Sequence, residues 1–277
     1  FREYRTYYRI VGEPSPAAPL LLLHGGPGFT HDSFELLDPL AEAAGRQVVM
    51  YDQLGCGKSS MPQRPELWQA RTWLEELAAL RRYLALDRIH LLGHSWGGML
   101  AIQYLCEERP QGVASLILSS TLPSASLWEK EGRRLAGSLP QAMQDAITAA
   151  EASGDYGDPA FQAAIDEYLR RYCLGAPEQA VAGCFPENFG EEAYLTAWGP
   201  SEFMPTGTLK HWEYLDKLSA ITCPTLVLSG LMDECTPLIA KTIHDAIPGS
   251  RWELFEYSRH MTYVEETDKY LQVVTRW

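Results

Sequence analysis

The chain has 277 residues, 46% hydrophobic and 21% charged, a globular balance that suits one large α/β domain or a core with an insertion. Lys plus Arg number 23 and Asp plus Glu 36, a formal net charge of −13 that argues against nucleic acid as a partner, since cations must face phosphate. No apolar run nears the roughly 18 residues that span a bilayer, and no signal-peptide pattern opens the chain, so the expectation is a soluble, cytoplasmic protein with no membrane partner.

Apolar runs of strand length recur in chain order at 20–24, 48–52, 89–93, 115–120, 224–230 and 252–258. They are near-continuous rather than alternating, as strands buried on both faces of a parallel sheet must be. Helical patterns at 33–44, 66–86, 96–110 and 238–248 lie between them. The alternation predicts a doubly wound, mostly parallel α/β sheet. It breaks between about Pro123 and Lys210, where LPQAMQDAITAAEASG, PAFQAAIDEYLRRYCLG and PEQAVAGCF read as helices. That block predicts an inserted helical lid (123–210) on a core made of 1–122 and 211–277, placed over the carboxyl edge where open α/β sheets bind ligands.

LLGHSWGGM contains G-x-S-x-G as Gly93, Ser95 and Gly97, between a strand and a helix. A serine on such a sharp turn is strained and exposed at the sheet's carboxyl edge, which marks Ser95 as a nucleophile. A hydroxyl needs a base, and enzymes of this kind carry acid and then base after the serine in chain order. His260, just past the last strand, fits the base. His24 and His31 belong to an early loop, His90 to a strand, His244 to a helix, and His211 follows the lid. His94 adjoins Ser95 and is expected to project elsewhere along the turn. GLMDECTP follows the 224–230 strand and offers Asp233 and Glu234. Asp233 is favoured as the orienting acid, with a helix-capping acid as the competing reading, because Thr236 and Pro237 open a helix. Acyl transfer also builds an oxyanion that fixed N–H donors must meet. One is expected from Trp96, after the nucleophile. The other is expected from the glycine loop HGGPG, at Gly26.

Three features are set aside. GCGKSS hints at a phosphate loop, but position 52 is Asp where glycine is required, so it reads as a turn after the second strand. EELAAL (75–80) reads as a solvated helix face. Cys56, Cys106, Cys173, Cys184, Cys223 and Cys235 form no CxxC pair and no zinc spacing, so they read as reduced, mostly buried thiols. No metal or organic cofactor is expected.

HGGPG, YDQLGCGKS, GHSWGG, GLMDECTP and SRHM, in this order, together with GPSEFMPTGTLKHWEYLDKLSAITCPTL (199–226), resemble the proline iminopeptidase branch of the α/β-hydrolases, notably its tricorn-associated aminopeptidase members. The resemblance covers nearly the whole chain. It implies an α/β-hydrolase fold with a helical lid and a serine aminopeptidase or amino-acid amidase acting on a small peptide or amide with a free amine, proline preferred. It also implies that Glu202 and Glu234 bind the substrate ammonium and that Tyr194 helps position the substrate. Trp198 departs from the asparagine that related members often carry, and the His94 and Trp96 flanks of the serine vary among them. An esterase, lactonase or thioesterase would keep the triad and drop the amine clamp. A ligand receptor would need neither.

Overall fold

The computed structural model describes residues 1–175 and 188–277. The expected helix PEQAVAGCF and Cys184 therefore fall outside the described residues. The sheet has seven strands in the order β1-β3-β2-β4-β5-β6-β7: β1 (Tyr8–Val11), β2 (Leu20–Leu23), β3 (Val48–Tyr51), β4 (Ile89–His94), β5 (Val113–Ser119), β6 (Thr225–Gly230) and β7 (Arg251–Phe255). β1 pairs antiparallel with β3, and the other pairings are parallel.

All six expected strands are present: β2 to β6 lie inside the sheet and are largely buried on both faces, while β7 is an edge strand on which only Phe255 is buried. Leu21 and Leu23 of β2 join one apolar cluster, with Val49, Tyr51, Leu91, Leu116 and Val227. Leu20 and Leu22 join the opposite cluster, with Val48, Met50, Leu92, Ile117 and Leu228. A strand serving two cores must be apolar at every position. β1 escaped the reading. It is an edge strand whose Tyr8 and Ile10 remain 36% and 41% exposed, so it carries no continuous apolar run.

Helices α1 (Pro39–Ala43), α2 (Ala70–Tyr83) and α3 (Trp96–Gln103) cover the sheet, with a π turn (Tyr104–Glu108) continuing α3. Between β5 and β6 stand α4 (Ala125–Ala136), α5 (Gln141–Ser153), α6 (Pro159–Tyr172) and α7 (Glu191–Ala197); α8 (Pro237–Ala246), α9 (Thr262–Glu265) and α10 (Thr267–Arg276) follow. α4, α5 and α6 build a small core from Leu135, Ile147, Phe161 and Tyr168, completed by Phe203 from the segment after α7.

The solvated face expected of EELAAL holds for only one of its two acids. Glu75 pairs with Arg2 and Arg71 near the surface. Glu76 is fully buried, accepting from Leu54 N at 2.8 Å and from the Thr6 hydroxyl at 2.5 Å. The N-terminal segment and the loop after β3 close over this helix face and exclude water from it.

Candidate active site

Four loops meet at the carboxyl ends of the parallel strands. Ser95 follows β4 with φ +54° and ψ −123°, a conformation that costs about 1–3 kcal/mol in a residue with a side chain. The elbow is held by Ser95 N donating to Ser119 O and by the Thr121 hydroxyl donating to Ser95 O. Its crossing with β2 is so tight that a Cβ on Gly97 would lie 2.0 Å from Leu23 O. Only glycine fits there, which is why the motif carries one.

Asp233 follows β6. Its carboxylate accepts from Cys235 N (2.7 Å), Gly230 N (3.3 Å) and His260 Nδ1 (2.9 Å). Thr236, not Asp233, caps α8. His260 follows β7, and its ring centroid lies 4.8 Å from that of His94, the neighbour of Ser95. His94 therefore does not project away. Alternation along β4 puts it on the Leu92 face, where its ring stands 5.1 Å from Tyr263. Burial lowers the His94 imidazole well below its usual range. For His260, burial disfavours the charge, but Asp233, Glu234 and Glu202 outweigh it and lift the imidazole to about 9.

The loop after β2 carries Gly26 at φ +116°, where a Cβ would lie 2.5 Å from Gly28 N. A Cβ on its neighbour Gly25 would come 3.2 Å from Ser95 Cβ, so loop and elbow are in contact. Trp96 opens α3, in the first turn, whose N–H groups lack intrahelical acceptors. Its indole donates to Gln53 Oε1 at 2.8 Å. The glycines of GCGKSS form a turn around Asp52, whose carboxylate takes Lys58 N and the His31 ring.

Glu234, next to Asp233, is buried, with Oε1 3.8 Å from His260 Nε2 and Oε2 without a hydrogen bond among the described residues. Burial and then Glu202 push its carboxyl well up. Burial also raises Glu202, whose carboxylate accepts from the Tyr194 hydroxyl. The Glu202 carbonyl accepts from the indoles of Trp128 (3.0 Å) and Trp198 (2.8 Å). Trp198, the departure from the family pattern, thus fixes the backbone that presents Glu202.

Several neighbours were missed by sequence reasoning. The Tyr168 hydroxyl is buried, feels Glu234 and Glu202, and makes no hydrogen bond among the described residues. Tyr172 O, at the end of α6, accepts from both Glu234 N and His260 N at 3.1 Å. Glu131 on α4 takes the Thr236 hydroxyl at 2.8 Å. Helical periodicity reads the first two as packing residues, and nothing local announces their partners.

Two described groups bring three possible metal-ligand atoms within 4.8 Å of one another: Asp233, Cys235 and His260, and His31, Asp32 and Glu35. In the first, Asp233 already takes the imidazole hydrogen bond, and burial pushes the Cys235 thiol up so that it stays protonated. In the second, the Arg9 guanidinium stands 3.8 Å from Glu35, so the protein supplies its own cation. An open groove of about 590 Å³ between α4, residues 213–217 and α8 holds none of the residues above.

Residues 18–267 match the α/β hydrolase fold family. The chain is 57% identical over 280 residues to the proline iminopeptidase of Clostridium botulinum, covering 100% of this chain and 95% of that protein. Among solved structures it is similar to that of VinJ, with a TM-score of 0.91 and 34% identity over 100% of this chain and 95% of that one. It is also similar to the proline iminopeptidase of Mycobacterium smegmatis, with a TM-score of 0.86 and 32% identity over the same shares. Of the described residues, no helix is long and apolar enough to cross a membrane. A match to this fold family over residues 18–267, and 57% identity across the whole chain to a proline iminopeptidase, mean that the chain belongs to the α/β-hydrolase fold family and, within it, to the proline iminopeptidases.

Proposed function

We propose that the chain releases an N-terminal amino acid, preferentially proline, from small peptides or amino-acid amides through a Ser-His-Asp triad. Ser95 Oγ attacks the carbonyl carbon while His260 takes its proton. Asp233 holds the imidazole by Nδ1 and stabilises the imidazolium. The N–H groups of Gly26 and Trp96 receive the oxyanion. His260 then gives its proton to the leaving amine, and an acyl ester remains on Ser95. Water, deprotonated by His260, attacks the ester and releases the amino acid. The residues at 123–210 act as a lid on a core of 1–122 and 211–277. A cytoplasmic location suits the thiols of Cys56, Cys106, Cys173, Cys223 and Cys235, all free.

The amine clamp carries the choice of substrate. Glu234 Oε2 is buried without a hydrogen bond among the described residues, beside a second raised carboxyl, Glu202. A buried carboxylate oxygen left open is costly unless a donor arrives, and a substrate ammonium supplies three. Tyr194 holds Glu202 in place for it.

Cleavage of prolyl-arylamide and its N-acetyl derivative tests this reading. The free amine should be cleaved and the blocked one not. Glu202→Gln should lower kcat/KM on the free substrate about 10- to 100-fold, the worth of one charge-assisted hydrogen bond. Equal rates on the two substrates would sink the clamp.

A further inference from the structure

The opening histidine of HGGPG has no part in the chemistry above, yet it is fully wrapped. His24 is 1% exposed. Gln53 N donates to its Nε2 at 3.0 Å. A nitrogen that accepts carries no proton, so the neutral ring is protonated at Nδ1. Nδ1 lies 2.9 Å from Gly25 O and therefore donates to it. Burial pushes the imidazole down to about 4, which keeps the ring neutral at working pH.

The consequence follows from peptide geometry. The cis bond in this loop is Gly26–Pro27; the Gly25–Gly26 bond is trans. In a trans unit the C=O and the next N–H point in opposite directions. Pinning Gly25 O therefore aims Gly26 N–H. Without the pin, a peptide between two glycines turns over at little steric cost. Gln53 completes the frame. Its Nε2 donates to His24 O at 3.1 Å, and its Oε1 accepts from the Trp96 indole at 2.8 Å. One buried amide thus ties together the two segments that carry the proposed oxyanion donors.

We propose that His24 is a positioning residue for the oxyanion hole, holding the Gly25–Gly26 peptide in the one orientation that presents Gly26 N–H to the reacting carbonyl. This rests on the assignment of Ser95 and Gly26 above, and not on the choice of substrate.

The test compares wild type with His24→Phe, which removes both ring nitrogens, and His24→Asn, whose amide N–H reaches the place of Nδ1. Each is assayed on prolyl-arylamide and on p-nitrophenyl acetate, which has no amine to recognise. Since one oxyanion donor is worth roughly 10²–10³ in rate, His24→Phe should lose about 10- to 100-fold in kcat on both with KM little changed. Affinity for prolinal, which forms a tetrahedral adduct, should fall by the same factor, and affinity for pyrrolidine should stay. His24→Asn should recover part of the loss. A kcat for His24→Phe within about twofold of wild type, or equal losses for prolinal and pyrrolidine, overturns the proposal. If wild type cleaves the ester but no prolyl-arylamide, the substrate reading falls while the ester arm still decides on His24. Should His24→Phe not fold, His24→Asn and the nitrogen spectrum of ¹⁵N-histidine wild type decide instead: Nδ1–H supports the proposal, and Nε2–H overturns it.

Discussion

Two acidic neighbours at single positions make His260 an unusual base. An imidazole facing one aspartate keeps its proton moderately; this one faces Asp233 and Glu234, with Glu202 near, and reaches about 9 despite burial. The protein without substrate therefore stores a proton on the group that must accept one. Phosphonylation of Ser95 by a fluorophosphonate isolates this effect, because the reagent has no amine to titrate or to bind the carboxylates. Its rate should rise with pH to a midpoint near 9, as His260 becomes neutral. Glu234→Gln removes one of the charges holding that proton, so its midpoint should move to lower pH. Coincident profiles for the two proteins would show that Glu234 does not act on His260.

At the scale of elements, α2 carries an acid that its own pattern hides. Burial raises the Glu76 carboxyl from 4.5 to about 7. The folded state then binds more protons than the unfolded one between these values, so stability falls as pH rises from about 4.5 through about 7. A shift of that size is worth roughly 3 kcal/mol at 1.36 kcal/mol per unit. Glu76→Gln cannot ionise, so its Tm relative to wild type should climb by several degrees between pH 5 and pH 8, at about 2–4 °C per kcal/mol for a domain somewhat smaller than this one. A Tm difference that is flat with pH would mean that Glu76 stays neutral throughout or finds a counter-charge. The same residue marks where sequence stops being legible. β2 to β6 can be read because burial on two faces writes itself as unbroken apolar runs, and Ser95 because a strained elbow demands a glycine two residues on. Glu76 cannot, because its partners Leu54 and Thr6 lie 22 and 70 residues away. Nor can Tyr172 O, which fastens α6 to the loops of Glu234 and His260, because a backbone carbonyl leaves no mark on residue type. Glu202, Glu234 and Tyr194 came from family likeness, and the structure supplies the buried charges that residue type alone did not.

For the whole molecule, the question is how a protein with a formal charge of −13 tolerates more acid inside. Glu202 and Glu234 come from separate stretches of chain, one following α7 and the other following β6, and the charges of both act on His260. Each group in this cluster holds its proton more tightly than it would in water: burial raises both glutamates, and the carboxylates raise the imidazole. A bound ammonium does the work of those protons. It favours the ionised carboxylates, and it opposes the imidazolium beside them. Every group in the cluster then shifts in the same direction, so binding must expel protons. Pyrrolidine, a cyclic secondary amine that is cationic at neutral pH and lacks a carboxylate, isolates this step. Titration calorimetry at one pH in buffers of different ionisation enthalpy reads the protons released, and the count should be positive. Glu234→Gln should bind pyrrolidine more weakly and release fewer. Zero release, or uptake, would mean that the ammonium does not enter between Glu202 and Glu234, and the amine would have to be held elsewhere.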